Sequence, residues 1–160
     1  MMILPALIPI TLEAIHQGLT RNVAFEEAKR LSNGKGIINI GAGPHRIFWA
    51  QEVAEDPDVL TNVDIVPDGM PNFYQLDIET EVLPFRNKQF GCAFASHVLE
   101  HLDNWEFALN EMLRVADHVV IVFPDPRFFS GWVVPEHKQH FPLDDMRAMT
   151  ELFPNVEVYC

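Results

Sequence analysis

The chain has 160 residues, a length typical of one domain with one hydrophobic core. Its 11 basic and 23 acidic residues give a net charge of −12, and such a surface repels the phosphate backbone of nucleic acids. A hydrophobic fraction of 48% excludes a disordered acidic chain, and two cysteines, Cys92 and Cys160, provide no disulfide framework. We therefore expect a globular cytoplasmic protein that binds neither membranes nor nucleic acid.

Residues 1–35 are predicted to form an N-terminal helical cap segment. Residues 1–10 are apolar, but their two prolines and the lack of a basic stretch argue against a signal peptide or membrane span, so we interpret them as a packing or lid segment. An apolar stripe at helical spacing then follows, formed by Leu12, Ile15, Leu19 and Val23. It predicts a helix that is capped by Thr11, weakened near Gly18 and ended by Asn33-Gly34.

Residues 36–160 alternate short apolar runs with helical patterns, which predicts an α/β domain with a doubly wound, mostly parallel sheet. The predicted strands are residues 36–40, 59–65, 72–76, 90–95, 118–123 and 156–159. The predicted helices are residues 47–55, residues 143–152, and a helix capped by Asp103 that buries Trp105, Ala108, Leu109 and Met112. Ligands of such sheets bind at the carboxyl ends of the strands.

A glycine turn, Gly41-Ala42-Gly43, follows the first predicted strand. Glycine lets the backbone approach a ligand closely, and the next helix offers unpaired N–H groups at its start. Asp64 ends the second strand, where a carboxylate can accept both hydroxyls of a ribose. Arg46 stands where a dinucleotide site needs a small residue, whereas Asp77-Ile78 can bind and cover an adenine ring. These features favour one nucleoside over NAD.

Five sequence blocks extend this pattern: residues 37–44, 62–65, 76–79, 83–85 with Phe90, and 96–102. In this order and spacing they resemble the class I S-adenosylmethionine-dependent methyltransferases of the small type 11 kind. The resemblance implies a Rossmann-like methyltransferase fold over residues 36–160, S-adenosylmethionine as the cofactor, and methylation of an acceptor, which we expect to be a small molecule.

The resemblance also implies where the cofactor binds. The glycine turn and Asn39 would lie at its methionine end, Asp64 would hold the ribose, Asp77 and Ile78 would hold the adenine, and Ser96 and His97 would close the site. The cofactor-binding candidates are Asn39, Gly41, Ala42, Gly43, Asp64, Ile65, Asp77, Ile78, Ser96 and His97.

The chain departs from the family pattern at three points. Asn39 stands where the family usually has an acidic residue, and His45 where it often has a third glycine. The family sheet ends with two strands after the last helix, whereas residues 156–159 are the one such strand predicted here, so we expect the usual last strand to be lacking. These departures favour an alternative, a catalytically degenerate cofactor-binding protein that regulates or scaffolds a partner.

The edge of the predicted strand at residues 156–159 is a candidate interface. Its β-branched and aromatic residues carry one charge, and an unpaired strand edge is usually covered, charged or paired. We therefore expect a homodimer or a partner protein at this C-terminal sheet edge, unless residues 1–10 fold over it.

Four residues near strand ends are candidates for catalysis: His97, His101, Asp125 and His140. Methyl transfer depends mainly on alignment of the reacting groups, so a base is needed only when the acceptor must lose a proton. Histidine titrates near neutrality, and a carboxylate at a strand end can orient it. An aromatic loop at residues 128–141 could close over the acceptor, and the four candidates are not ranked by sequence alone.

His97-Val98-Leu99-Glu100-His101 also matches the H-x-x-E-H pattern of some zinc hydrolases. That site needs the motif inside a long helix and a third ligand downstream. The sequence places the first histidine at a strand end and defines no third ligand, so we expect no metal. A zinc hydrolase ranks behind the other two hypotheses.

Overall fold

A computed structural model describes residues 7–43, 60–66, 72–128 and 135–160. Within these ranges the helices are α1 (Leu7–Ser32), α2 (Trp105–Val115) and α3 (Leu143–Leu152). The strands are β1 (Ile37–Ile40), β2 (Leu60–Asp64), β3 (Phe73–Gln75), β4 (Phe90–Ser96), β5 (Ala116–Val122) and β6 (Val156–Tyr159). A single 3₁₀ turn, Leu99–His101, follows β4. The predicted helix at 47–55 and residues 1–6 lie outside the described residues.

The six strands form one sheet in the order β3-β2-β1-β4-β5-β6, and every pairing is parallel. The prediction of a doubly wound α/β sheet is confirmed. The direction in which strands are added reverses between β1 and β4, where Ile40 lies opposite both Val63 and Ala95. At such a reversal the connections leave in opposite directions, which opens a crevice at the carboxyl ends of the strands.

Apolar side chains pack on both faces of the sheet. On one face, residues of α2 and α3 such as Met112 and Met149 join the core formed by Ile38, Ala93 and Val119. On the other face, α1 contributes Ala24, Phe25 and Ala28 to a second cluster with residues of β1, β4 and β5. Burial on both sides explains why β4 and β5 are almost continuously apolar.

Helix α1 differs from its prediction. It is already helical at Leu7 and continuous to Ser32, so Thr11 lies within the helix rather than at its N-cap, and Gly18 causes no break. Three residues of the apolar stripe are exposed, since Ile15, Leu19 and Val23 keep 54%, 62% and 60% of their surface. The small side chains of Ala24 and Ala28 face the sheet instead and allow the helix to approach it closely. The predicted stop is confirmed, because Asn33 and Gly34 have φ of 48° and 79°.

The start of α2 also differs from its prediction. The preceding residue is Asn104, whose side chain makes no capping bond, so Asp103 is not the N-cap. The backbone N–H groups of Asp103 and Asn104 donate to Glu79 Oε1 instead, and the Asp103 carboxylate binds Lys138 Nζ at 2.6 Å. Contacts with the distant residues Glu79 and Lys138 therefore take the place of the predicted cap. The predicted buried face is confirmed for Ala108, Leu109 and Met112, while Trp105 is half-buried against the core.

Helix α1 covers one face of the sheet through contacts with β4 and β5. Whether residues 1–35 form a unit separate from residues 36–160 stays a prediction. Of the helices described here, none has the length and apolar character needed to cross a membrane. Strand β6 lies at the edge of the sheet next to β5, and the expected interface at that edge stays a prediction as well.

A pair of glycine substitutions tests the packing of α1 on the sheet. A Cβ at Gly91 of β4 would lie 1.9 Å from the Ser32 carbonyl oxygen, so we expect Gly91→Ala to lower the free energy of unfolding by about 2 kcal/mol or more. A Cβ at Gly18 meets no atom within 4 Å. Gly18→Ala should therefore raise the free energy of unfolding by about 0.5–1 kcal/mol, because alanine favours helix. Denaturant unfolding of both variants measures the difference, and a neutral Gly91→Ala would contradict the close contact.

Candidate functional site

A cavity of about 240 Å³ lies at the carboxyl edge of the sheet, where β1, β2 and β3 end. Its walls are mainly apolar and include Ile40, Val63, Leu76, Val98 and Leu102. Among the predicted cofactor-binding residues, those lining it are Gly41, Asp64, Ile65, Asp77 and Ile78; Glu79 and the catalytic candidate His101 line it too. The topology thus brings together in one cavity side chains that the sequence places at separate strand ends.

The glycine turn shapes the cavity through its missing side chains. Gly41 has φ of 69°, and a Cβ there would lie 2.2 Å from Val98 Cγ2 in the turn after β4. The N–H groups of Gly41 and Ala42 donate to the Val63 carbonyl at 2.8 and 3.1 Å, and that of Gly43 donates to Asp64 Oδ2 at 2.7 Å. The start of the next predicted helix, where unpaired N–H groups are expected, lies outside the described residues. The three turn residues are bound to the end of β2, so the turn provides space rather than hydrogen bonds.

Both predicted acidic residues have defined orientations. Asp64 accepts hydrogen bonds from the N–H groups of Gly43 and Val66. Asp77 accepts from the N–H of Glu79 at 2.9 Å and from the hydroxyl of Thr80 at 3.0 Å. A carboxylate oxygen has more than one acceptor direction, so each side chain can still bind a ligand hydroxyl or amino group. The cavity therefore offers two oriented anionic acceptors against an apolar wall.

The other cofactor-binding candidates do not line this cavity. Asn39 is buried in β1, where its Nδ2 donates to Asn62 Oδ1 of the neighbouring strand at 3.1 Å. Ala42 and Gly43 complete the glycine turn behind Gly41. Ser96 ends β4, and its buried Oγ has no hydrogen-bond partner among the described residues. His97 follows with φ of 55°, and its N–H donates to the Val122 carbonyl.

Beside the cavity, several ionisable side chains surround Glu100. This residue is 1% exposed, yet neither carboxylate oxygen accepts a hydrogen bond from any residue that the structure describes. His97 Nδ1 lies 3.4 Å from Oε1 without hydrogen-bond geometry, and Arg21 of α1 interacts with Glu100 electrostatically. Single ligand atoms of Glu100, His101 and His137 all lie within 4.8 Å of one another.

The histidines near Glu100 come from two segments of the chain. His101 belongs to the 3₁₀ turn, and its ring lies edge-on to that of His137, with 4.8 Å between the centroids. Burial lowers the pKa of His137, an effect that the charge of Glu100 opposes. His137 and His140 also line a second cavity of about 10 Å³ beside Glu100. Three catalytic candidates, His97, His101 and His140, thus lie around one buried carboxylate.

The H-x-x-E-H pattern does not form the hydrolase arrangement. His97 leaves β4 in a left-handed conformation, and Leu99–His101 is one 3₁₀ turn rather than part of a long helix. His137, which the sequence does not identify as a neighbour of the motif, lies close to Glu100 and His101 but is not grouped with His97. Sequence spacing could not reveal this contact, since residues 135–141 approach the turn only through tertiary packing.

Asp125, the fourth catalytic candidate, follows β5 and is 2% exposed. Arg127 Nε donates to Asp125 Oδ1 at 2.8 Å, and this guanidinium holds the pKa of Asp125 below its ordinary value. His16 Nε2 of α1 lies 3.2 Å from Oδ2, and its ring contacts Phe128. A carboxylate with a lowered pKa is a weak base. Sequence analysis missed His16 because its position within a helix gave no functional signal.

Comparison with known proteins agrees with this geometry. Residues 34–121, more than half of the chain, match the type 11 family described as a methyltransferase domain. The chain therefore belongs to this family of methyltransferases, which use S-adenosylmethionine. The recognition made from the five sequence blocks is confirmed.

Solved structures include a protein of similar fold. The YcgJ protein from Bacillus subtilis matches with a TM-score of 0.56 and 18% identity, over 87% of this chain and 67% of that one. At this identity the likeness supports the Rossmann-like fold alone. A search of curated protein sequences finds no match.

A set of three variants tests the contact between the glycine turn and Val98. Gly41→Ala should destabilise the protein through both its positive φ and the overlap with Val98, whereas Gly34→Ala has a positive φ but no atom within 4 Å of the new Cβ. The φ penalty alone is about 1–2 kcal/mol. Adding Val98→Ala should restore part of the stability lost in Gly41→Ala, measured by denaturant unfolding. Equal losses at Gly41 and Gly34 would show that the overlap is relieved without cost.

Proposed function

We propose that this protein transfers a methyl group from S-adenosylmethionine to a small-molecule acceptor. The observation that carries the proposal is the cavity at the carboxyl edge, in which Asp64 and Asp77 stand at adjacent strand ends beside the side-chain-free Gly41. A nucleoside has hydroxyl and amino donors along one edge and an apolar ring face. Asp64 accepts the ribose hydroxyls, Asp77 accepts the adenine amino group, and Ile78 packs against the ring.

The remaining candidates support the cofactor site indirectly. Ala42 and Gly43 hold the turn against β2, and Ile65 borders the cavity beside Asp64. Asn39 joins β1 to β2 through Asn62. Ser96 and His97 form the sharp end of β4, where the chain turns from the sheet toward the 3₁₀ turn.

The acceptor site is proposed on the side of His101. This residue borders the cofactor cavity and also contacts His137 of the segment 135–141. An acceptor held there would approach the sulfonium methyl group from the side opposite its leaving sulfur, as in-line displacement requires. His97, His101 and His140 are the better candidates for proton removal, because Asp125 is paired with Arg127. The net charge of −12 favours a small acceptor over a nucleic acid.

A second candidate function is cofactor binding without methyl transfer. Asn39 favours it, because its amide is buried and bonded to Asn62, and β1 therefore brings no carboxylate toward the methionine end of a cofactor. Cofactor binding and methyl transfer are tested separately for this reason.

Calorimetry with S-adenosylmethionine and its demethylated product tests the cofactor site. We expect the wild type to bind at least one of them, and Asp64→Ala to weaken binding by about 1.5–3 kcal/mol through lost charge-assisted hydrogen bonds. Asp64→Asn keeps a side-chain oxygen that can accept the hydrogen bond from Gly43 but removes the charge, so it separates an effect on folding from an effect on cofactor binding. Asp117→Ala is the matched control, because that carboxylate pairs with Lys35 at the opposite edge of the sheet. Failure of a folded wild type to bind either nucleoside would exclude the cofactor site.

Incubation with methyl-labelled cofactor and a native extract tests the transfer. Mass spectrometry should find the label in a small molecule when the wild type is present, and the labelling should fall with Asp64→Ala in proportion to its weaker binding. Label in protein or nucleic acid would contradict the proposed acceptor class. Tight cofactor binding without any labelled product would favour the second candidate function.

A further inference from the structure

Glu100 differs from the other buried acidic residues of the described chain. Glu111 is paired with Arg114, and Asp125 is paired with Arg127. Glu100 is 1% exposed, and both of its oxygens lack a hydrogen-bond partner among the described residues. His97 Nδ1 lies 3.4 Å from Oε1 and is a charge partner only when protonated. A buried carboxylate without a hydrogen bond is unfavourable, and buried charges are normally paired or coordinate a metal ion. Arg21 interacts with it electrostatically but makes no hydrogen bond to it.

Two imidazole rings meet this carboxylate. Single ligand atoms of Glu100, His101 and His137 lie within 4.8 Å of one another. His101 Nδ1 lies 3.0 Å from the Glu136 carbonyl oxygen, and since a carbonyl only accepts, Nδ1 must carry the hydrogen. The lone pair of His101 is then on Nε2. A histidine that binds a metal through one ring nitrogen usually donates the N–H of its other ring nitrogen to a group such as a backbone carbonyl.

The space beside these groups suits an ion rather than an organic ligand. Glu100 and His137 line a small cavity of about 10 Å³, close to the volume that holds one water molecule, and His101 lies outside its lining, on the side of the cofactor cavity. A bare divalent ion needs no more room than this volume. Phe123 and Phe141 form part of its wall.

The two ligand segments are held together without a metal. The N–H groups of Lys138 and Gln139 donate to the Glu100 carbonyl at 2.8 and 3.0 Å, and Lys138 Nζ binds the Asp103 carboxylate. Residues next to the candidate ligands are therefore held in place by hydrogen bonds and an ion pair that need no metal. Such preorganisation lowers the conformational entropy lost when an ion binds.

We infer that Glu100, His101 and His137 bind a divalent first-row transition ion, with Zn²⁺ as the first candidate. Two imidazoles and one carboxylate suit such ions, whereas Mg²⁺ and Ca²⁺ prefer oxygen ligands alone. In the H-x-x-E-H hydrolases the two histidines of the motif bind the metal. The site inferred here differs, because Glu100 is a ligand and His97 is not. The bound ion ties residues 135–141 to the 3₁₀ turn beside the cofactor cavity. The inference does not depend on the proposed methyl transfer, and an ion on His101 leaves His97 and His140 as the candidates for proton removal.

Metal titration of the purified protein tests this site. After removal of metal with a chelator, the protein is titrated with Co²⁺ and then Zn²⁺, followed by elemental analysis. We expect one ion per chain, a visible Co²⁺ absorption that Zn²⁺ abolishes, and no competition from excess Mg²⁺. Amide hydrogen exchange across residues 135–141 should slow when Zn²⁺ is added, because the ion joins this segment to the turn.

Variants locate the ion. Glu100→Gln and His137→Gln keep the side-chain volume approximately and should weaken Zn²⁺ binding about 100-fold or more. His118→Gln is the matched control, because His118 is a half-buried histidine of β5 outside the candidate metal-binding group. In the wild type, Co²⁺ should shift the ring-proton NMR signals of His101 and His137, a measurement that does not depend on whether a variant folds.

Three results would overturn the inference. The first is a folded wild type that binds no stoichiometric Zn²⁺ or Co²⁺. The second is binding that survives in both Glu100→Gln and His137→Gln, which would place the ion elsewhere. The third is a Co²⁺ complex in which the ring signals of His101 and His137 stay unshifted. Calorimetric binding of the nucleoside cofactor is measured separately, so failure of the metal site and failure of the cofactor site are distinguishable.

Discussion

The parallel alignment of the strands is the constraint on which the site depends. Because all six strands run the same way, each of them ends at one edge of the sheet, and the turn after it begins there. The pairing of Ile40 with both Val63 and Ala95 places the glycine turn between the ends of β2 and β4. Asp64 therefore accepts a hydrogen bond from Gly43, and Gly41 lies against Val98. If one of these strands were antiparallel, its carboxyl end would lie at the opposite edge of the sheet.

Helix α1 completes the same edge from the far end of the sequence. Ala24 and Ala28 allow it to lie close to β4 and β5, and this position brings its polar residues toward the strand ends. His16 reaches Asp125 after β5, and Arg21 interacts with Glu100 after β4. Such contacts make α1 part of the polar environment of the site as well as a cover for the sheet. Its outer side keeps exposed aliphatic residues, so polarity alone does not define which side is buried.

The buried charges divide the site into two regions with different physics. Next to β5, the positive charge of Arg127 balances the negative charge of Asp125 and stabilises its carboxylate form. After β4, Glu100 is surrounded by histidines and accepts no hydrogen bond from the described residues, and His97 at 3.4 Å pairs with it only when protonated. A buried charge needs an ion-pair partner, hydrogen bonds or a metal ion, and a group that already has such a partner is less available to bind another ligand. The first region is a structural ion pair, while the second retains the capacity to bind a cation.

The amino-acid sequence by itself determined the strand order along the chain, the glycine turn, and the acidic residues Asp64 and Asp77. These features depend on local patterns: β-branched runs, a turn that requires glycine, and polar residues directly after apolar strands. Tertiary structure decided which side of α1 is buried, why Asp103 pairs with Lys138 instead of capping α2, and that His137 meets Glu100. Those contacts join distant segments, and their energies depend on close packing and on charges leaving water, neither of which is encoded in local spacing.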